Sequence, residues 1–140
     1  MKPMFVALVA ALALWAAPVS AASIVARIDI SSQTMKVYVD GWPRYTWPVS
    51  TARRGYRTPI GNYRAQRLEA MWYSRKYDMS PMPHSVFFYG GFAIHGTGYI
   101  KRLGQPASHG CVRLHPANAT QFYNLVRSYG MANTQIVVTQ

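Results

Sequence analysis

Acidic side chains are scarce in this sequence: four Asp and Glu stand against fifteen Lys and Arg, a formal charge of +11 at neutral pH. A field of that sign attracts polyanions. The basic residues of "TARRGYRTPIGNYRAQR" are spaced singly rather than packed into a run, which argues against nucleic acid as the partner. Cysteine is scarcer still. With Cys111 alone, the chain has no intramolecular disulfide, and no cysteine follows the apolar start to carry a lipid. Internal repeats and low-complexity tracts are absent. The one long apolar run, Met4 to Ala17, is shorter than the roughly 20 residues that span a bilayer. Lys2 before it and Pro18 with small residues after it give the pattern of a secretory signal peptide over residues 1–21, cleaved after Ala21 or Ala22. Beyond it, fourteen basic residues remain against four acidic ones. A single thiol in an exported domain points either to an intermolecular bridge or to a reactive nucleophile.

Helix signals are also few. Pro116 suits a first helical turn, Ala119, Phe122, Tyr123 and Val126 fall at helical spacing, and Gly130 is a stop. The rest reads as strands. "IVARIDI" and "TMKVYVD" alternate with period two. Asp40-Gly41 is a two-residue hairpin signal, so Trp42 to Ser50 returns as a third strand, with Pro43 and Pro48 placing it at an edge. A Gly- and Pro-marked loop leads to a short strand near Tyr63. "SVFFYGGFAIHG" is a strand broken at Gly90-Gly91 that ends at His95, and "TQIVVT" closes the chain. Between them "MWYSRKYDMSPMPHS" shows neither period and is too apolar for disorder, which predicts a loop that covers something. The sum is one mainly β domain, a sandwich or partial barrel with one helix packed on it.

The stretch "ASHGCVRLH" surrounds the cysteine. A thiol attacks a carbonyl as thiolate, and an ordinary cysteine is mostly protonated at neutral pH, so it needs a base or a positive field. Two histidines compete for that role. His109 shares a face with Cys111 in an extended segment; His95 reaches it only if its strand pairs beside the one carrying the thiol. Gly110 permits backbone N–H groups to converge on an oxyanion, and Ser108 offers a hydroxyl donor to the same hole. Arg113 presents a planar fork to a substrate carboxylate. His95, His109, Cys111 and His115 also hold metal-ligating atoms, but one residue between His109 and Cys111 is poor zinc spacing, and no second cysteine is offered.

"AIHGTGYIKRLGQPASHGCVRLHPANA", residues 93–119, resembles the catalytic signature of the L,D-transpeptidase (YkuD) family. Upstream, "VSTARRGYRTPIGNY" and "MPHSVFFYGGFAIHG" resemble the same family, so the likeness covers residues 24–139 as one catalytic domain. It implies a β-sandwich-like fold of mixed sheets with one principal helix near the C-terminus. By the resemblance Cys111 is the acylated nucleophile, His95 its base and the Gly96 carbonyl the group that orients the base, which overrules proximity as an argument for His109. Ser108, His109 and Gly110 shape the oxyanion site, Arg113 contacts substrate carboxylates, and Tyr77 and Met82 lie in a flap over the cleft. "HPANA" replaces the family's polar, Asn-acidic helix start. No separate wall-binding module accompanies the domain, and its charge is a substitute for one.

The activity implied is transfer of a peptidoglycan stem-peptide acyl group through a thioester, with release of D-alanine. The acceptor is another stem peptide, giving a new crosslink, or an amine of an envelope protein. No cofactor and no metal are implied, and the protein is expected to be an exported monomer of the periplasm or cell envelope. Two alternatives stand beside this: a murein peptidase in which water resolves the acyl-enzyme, and a non-catalytic basic envelope-binding protein with an inert thiol.

Overall fold

A computed structural model describes residues 23–140; the expected signal peptide lies outside the described residues. The strands are β1 Ile24–Asp29, β2 Thr34–Val39, β3 Trp42–Pro48, β4 Gly61–Arg64, β5 Arg67–Ser74, β6 Ser80–Tyr89, β7 Phe92–Gly96, β8 Val112–Leu114 and β9 Thr134–Thr139, with one α-helix, α1, at Pro116–Tyr129. They form two mixed sheets, ordered β3-β2-β1-β9-β4 and β5-β6-β7-β8. The hairpin at Asp40-Gly41 has both residues at positive φ, 51° and 83°, as a tight two-residue connection requires. It leaves β3 at the sheet edge, where Pro43 and Pro48 cost no ladder bond on the open side. The last strand, β9, inserts between β1, to which it runs parallel, and β4, to which it runs antiparallel.

Alternation decides what each sheet buries. Ile24, Ala26 and Ile28 of β1, Met35, Val37 and Val39 of β2, and Ile136 and Val138 of β9 form one face of the first sheet, packed with Val86, Ile94, Val112 and Leu114 of the second. Helix α1 adds Ala119, Phe122, Tyr123 and Val126 to the same core. Each fully buried Val, Leu, Ile, Met or Phe side chain among them contributes roughly 1.5–3 kcal/mol. In place of the family's polar helix start, His115 Nδ1 accepts the Ala117 N–H at 3.1 Å and caps the first turn.

The stretch predicted as a covering loop is instead most of a β-hairpin. β5 and β6 pair from Arg67↔Phe87 to Ser74↔Ser80, with a turn at residues 75–79. Sequence alternation is missing because β5 is the sheet's edge and none of its residues is fully buried, so neither face is marked apolar. Pro81 and Pro83 pair with β5 before the stretch where β6 meets β7. With one side unpaired there, prolines are tolerated.

Candidate active site

The second sheet has a core face and an open face, and period two assigns the chemistry to the open one. Phe87, Ala93, His95 and Arg113 alternate with the core residues Val86, Ile94, Val112 and Leu114. Strands β7 and β8 run parallel with Ile94 opposite Val112 and His95 opposite Arg113. Cys111, one residue before β8, therefore falls beside Ala93, and its side chain packs into a small apolar cluster with Met82, Phe87, Ala93 and Trp72. Strand pairing thus brings His95 and a thiol 16 residues away in sequence onto the same open face and into one cavity, two residues apart along the paired strands.

His95 is 5% exposed, and its Nδ1 lies 2.7 Å from the Gly96 carbonyl oxygen. A carbonyl only accepts, so Nδ1 carries the proton and Nε2 is the free acceptor of the neutral ring. Burial pushes the His95 pKa down to about 4, against the Gly96 hydrogen bond, which raises it; the Arg113 charge adds to the lowering. Burial also pushes the Cys111 thiol up, opposed by the Ala93 backbone N–H and by Arg113. The resting site is thus a neutral thiol beside a neutral imidazole, the thiol making a long 3.8 Å contact with the Gly91 carbonyl.

A buried neutral histidine makes folding pH-dependent. Unfolded, His95 takes up its proton near its ordinary 6.5; folded, only near 4. Between those values the unfolded chain binds more protons, so stability is full above pH 6.5, falls as the pH drops toward 4, and levels off below. The expected loss is about 3 kcal/mol, from about 1.36 kcal/mol per pH unit of displacement. Urea unfolding of the wild type at pH 4.5 and pH 7 should show most of it, and His95→Gln should flatten the difference. His109, whose pKa is lowered by burial and then by Arg53, Arg113 and Lys76, keeps a smaller dependence of the same sign.

The segment before the thiol is held by polar residues beneath it. The Ser108 hydroxyl accepts the Gly110 N–H at 3.0 Å and donates to the Cys111 carbonyl at 2.6 Å. It is therefore committed to shaping the loop and is not the free oxyanion donor the sequence reading offered. Gly110 has φ 136°, and a Cβ there would sit 2.5 Å from Phe92 and 2.9 Å from the Arg57 carbonyl, so only glycine fits. That bend also breaks the extended geometry which would have put His109 on the thiol's face. Thr58 donates to the Gly110 carbonyl at 2.8 Å and accepts the Ala52 N–H. Thr51 accepts the Ala107 and Ser108 N–H groups on its carbonyl, and its own side chain is held by Gln33. Thr58, Thr51 and Gln33 are buried polar residues that the sequence does not single out; the two threonines had a signal in their place in the "VST…TP" run, and Gln33, in the β1–β2 turn, had none.

His109 stacks on Tyr77 from the β5–β6 turn, centroids 4.0 Å apart and planes 13° apart, and meets Tyr56 edge-on at 4.8 Å. Two aromatic contacts make it a packing platform that ties the turn to the nucleophile loop. Met82 lies against the thiol. Around these residues opens a cavity of about 710 Å³, which Cys111, His95, Tyr77, Met82, His109 and Arg113 all line. Arg67, Arg75 and Lys76 line it as well, and among the described residues no acidic side chain does. Arg113 is half-buried with one long hydrogen bond, 3.4 Å to the Ala107 carbonyl, and sits 5.7 Å from the Tyr99 ring. Burial lowers its pKa, as does Arg53, against Cys111 and Tyr99, which raise it. Such a cation, without a counter-charge, is suited to an incoming carboxylate.

Among the described residues no three His, Cys, Asp or Glu side chains converge as a metal site, and no helix is long and apolar enough to cross a membrane. Two mixed sheets with a thiol and a hydrogen-bonded imidazole on one open face have the layout that cysteine-dependent acyl transfer requires. The chain belongs to the YkuD family, the L,D-transpeptidase catalytic domain, whose family model matches residues 23–138. No curated protein matches the sequence. Among solved structures, an L,D-transpeptidase from Mycobacterium smegmatis superimposes with a TM-score of 0.77 at 24% identity, over 85% of this chain and 59% of that one. An L,D-transpeptidase from Stackebrandtia nassauensis gives 0.74 at 26% identity, over 84% and 56%. L,D-transpeptidase 3 from Mycobacterium tuberculosis, solved in complex with a faropenem-derived adduct, gives 0.72 at 22% identity, over 85% and 61%. The chain therefore spans about three fifths of the length of these relatives.

Proposed function

We propose that this protein is an exported L,D-transpeptidase of the cell envelope that acylates Cys111 with a peptidoglycan stem peptide and passes the acyl group to an amine. The observation that carries the reading is the 2.7 Å hydrogen bond from His95 to the Gly96 carbonyl, which leaves Nε2 unprotonated in the same cation-rich cleft that the thiol lines.

In the first half-reaction His95 Nε2 takes the thiol proton as Sγ bonds to the carbonyl carbon of the residue preceding a terminal D-alanine. The imidazolium so formed keeps its Nδ1–H on the Gly96 carbonyl, and Arg113 favours the developing thiolate. With the Gly110 N–H spent on Ser108, the oxyanion is assigned to the Cys111 N–H just before β8. Collapse of the tetrahedral intermediate breaks the C–N bond, the imidazolium protonates the leaving D-alanine amine, and a thioester remains. In the second half-reaction an acceptor amine attacks the thioester, gives its proton to His95 and displaces the thiol, forming a new amide. Both acyl balance and proton balance close on Cys111 and His95 without a cofactor.

The acceptor is a second stem peptide or an envelope-protein amine. The test is to incubate the mature protein with a disaccharide-tetrapeptide and to follow D-alanine release and product mass. Release with crosslinked dimers supports transfer to an amine; release with shortened monomers makes the protein a murein peptidase; no release under any condition removes the reading.

A further inference from the structure

The open face of the second sheet carries a residue that the proposed reaction does not use. Arg67 of β5 is the register partner of Phe87 on β6, and Phe87 is the partner of Ala93 on β7. Ala93 is in turn beside Cys111 by the register of β7 with β8. Residues in one such row share a face, so a line runs straight across the sheet from the thiol to Arg67. Three strand spacings separate the two backbones by about 14 Å. The side chain leans back along the row: its guanidinium carbon is 3.9 Å from the Phe87 ring centroid and 4.5 Å from that of Trp72. About 10 Å of apolar floor is left between that fork and the sulfur.

The fork is oriented and still available. Stacking on two rings fixes its plane. Glu69 takes Nη1 at 3.3 Å, but this pair is partly exposed, with side chains 43% and 36% accessible, and such pairs are weak. It engages one of the five N–H donors, while the residue lines a cavity that no acidic side chain lines among the described residues.

We propose that Arg67 is a second carboxylate-binding point of the cleft, which recognises a free carboxylate on the acyl-donor peptide at a distance from the carbonyl that Cys111 attacks; this rests on the transpeptidase reading above. An extended peptide advances about 3.3–3.6 Å per residue, so about 10 Å is close to three residue lengths. An acidic residue joined through its side chain just before the reacting residue places its free carboxylate at that range. Arg113 then holds the donor on the thiol's own edge of the sheet, β8, and Arg67 holds it on the opposite edge, β5. Amidation of the carboxylate removes the charge and half of the acceptor set, so the site separates free from amidated donors.

The experiment is equilibrium binding to the Cys111→Ala protein, in which turnover is blocked, read by calorimetry. The ligands are two synthetic tetrapeptides that differ only in a free or amidated carboxyl on the second residue. The free form is expected to bind about tenfold tighter, as a charge-assisted contact at a partly open position provides. Adding Arg67→Gln should erase that ratio, and Arg67→Lys should restore part of it. An unchanged ratio in Arg67→Gln, or equal weakening of both peptides, overturns the proposal, since the latter is what a packing role alone would do. D-Alanine release by the wild type reports separately on the transpeptidase reading. Release without an Arg67-dependent ratio sinks the Arg67 site alone, and the ratio without release sinks the activity and leaves a binding site.

Discussion

Cys111→Ala is expected to take up no acyl group from a tetrapeptide donor or from faropenem, while the wild type gains one per chain by intact mass. The reasoning is chemical first. No second thiol exists in the chain, and the thioester needs a sulfur that a methyl group cannot replace. It is also structural, because the substitution removes one atom from the Met82, Phe87 and Trp72 cluster and leaves the loop bonds of Ser108 and Thr58 in place. Fold and melting temperature should therefore change little, so a missing adduct reports on chemistry. Equal labelling of wild type and mutant would return the thiol to an inert role and favour a basic envelope-binding protein. Faropenem is the useful second donor because its strained lactam carbonyl can acylate an activated thiol directly, which tests the nucleophile independently of any stem-peptide specificity.

The next largest effect belongs to His95→Gln, expected to slow acylation by about 10² to 10⁴, the usual contribution of a general base. Glutamine keeps much of the volume and an N–H for the Gly96 carbonyl, but has no nitrogen that accepts a proton. In the wild type, acylation should persist down to near pH 4 before His95 protonates, instead of failing near 6.5. That acid limb should vanish in the variant. His109→Ala should cost less, since the ring of His109 is stacked on Tyr77 and meets Tyr56 edge-on, and its loss loosens the turn without removing the proton acceptor. The opposite ranking of the two histidines, in rates measured by stopped-flow or rapid-quench mass spectrometry, would reverse the assignment.

Much of the fold was legible because its strands alternate. β1, β2 and β9 each bury every second residue, and the Asp40-Gly41 hairpin and the Pro116-to-Gly130 helix are marked by residues whose backbone preferences are local. The β5–β6 hairpin was not legible. Its two prolines and its half-exposed edge face remove the periodicity on which such a reading depends, and only pairing with β7 and contact with the thiol cluster make strands of it. The competition between His95 and His109 has the same cause. Sequence distance favours His109, while parallel pairing of β7 with β8 and the positive φ of Gly110 favour His95.

By itself the sequence determined the reagents and the strands that bear them: one thiol, two candidate imidazoles, a surplus of cations and a β-rich chain with a single helix. These follow from composition and from period-two or period-3.6 spacing, which are local properties. The family likeness of the motif already pointed to His95 and the Gly96 carbonyl; the tertiary structure alone decided that His95 and the thiol share one open face, that Ser108 is spent on the loop, and that Arg67 lies in line with the thiol across the second sheet. Each of those depends on which strands pair and in what register. Register is set by burying one face of every strand at once, a condition that the whole core satisfies and no single stretch of sequence states.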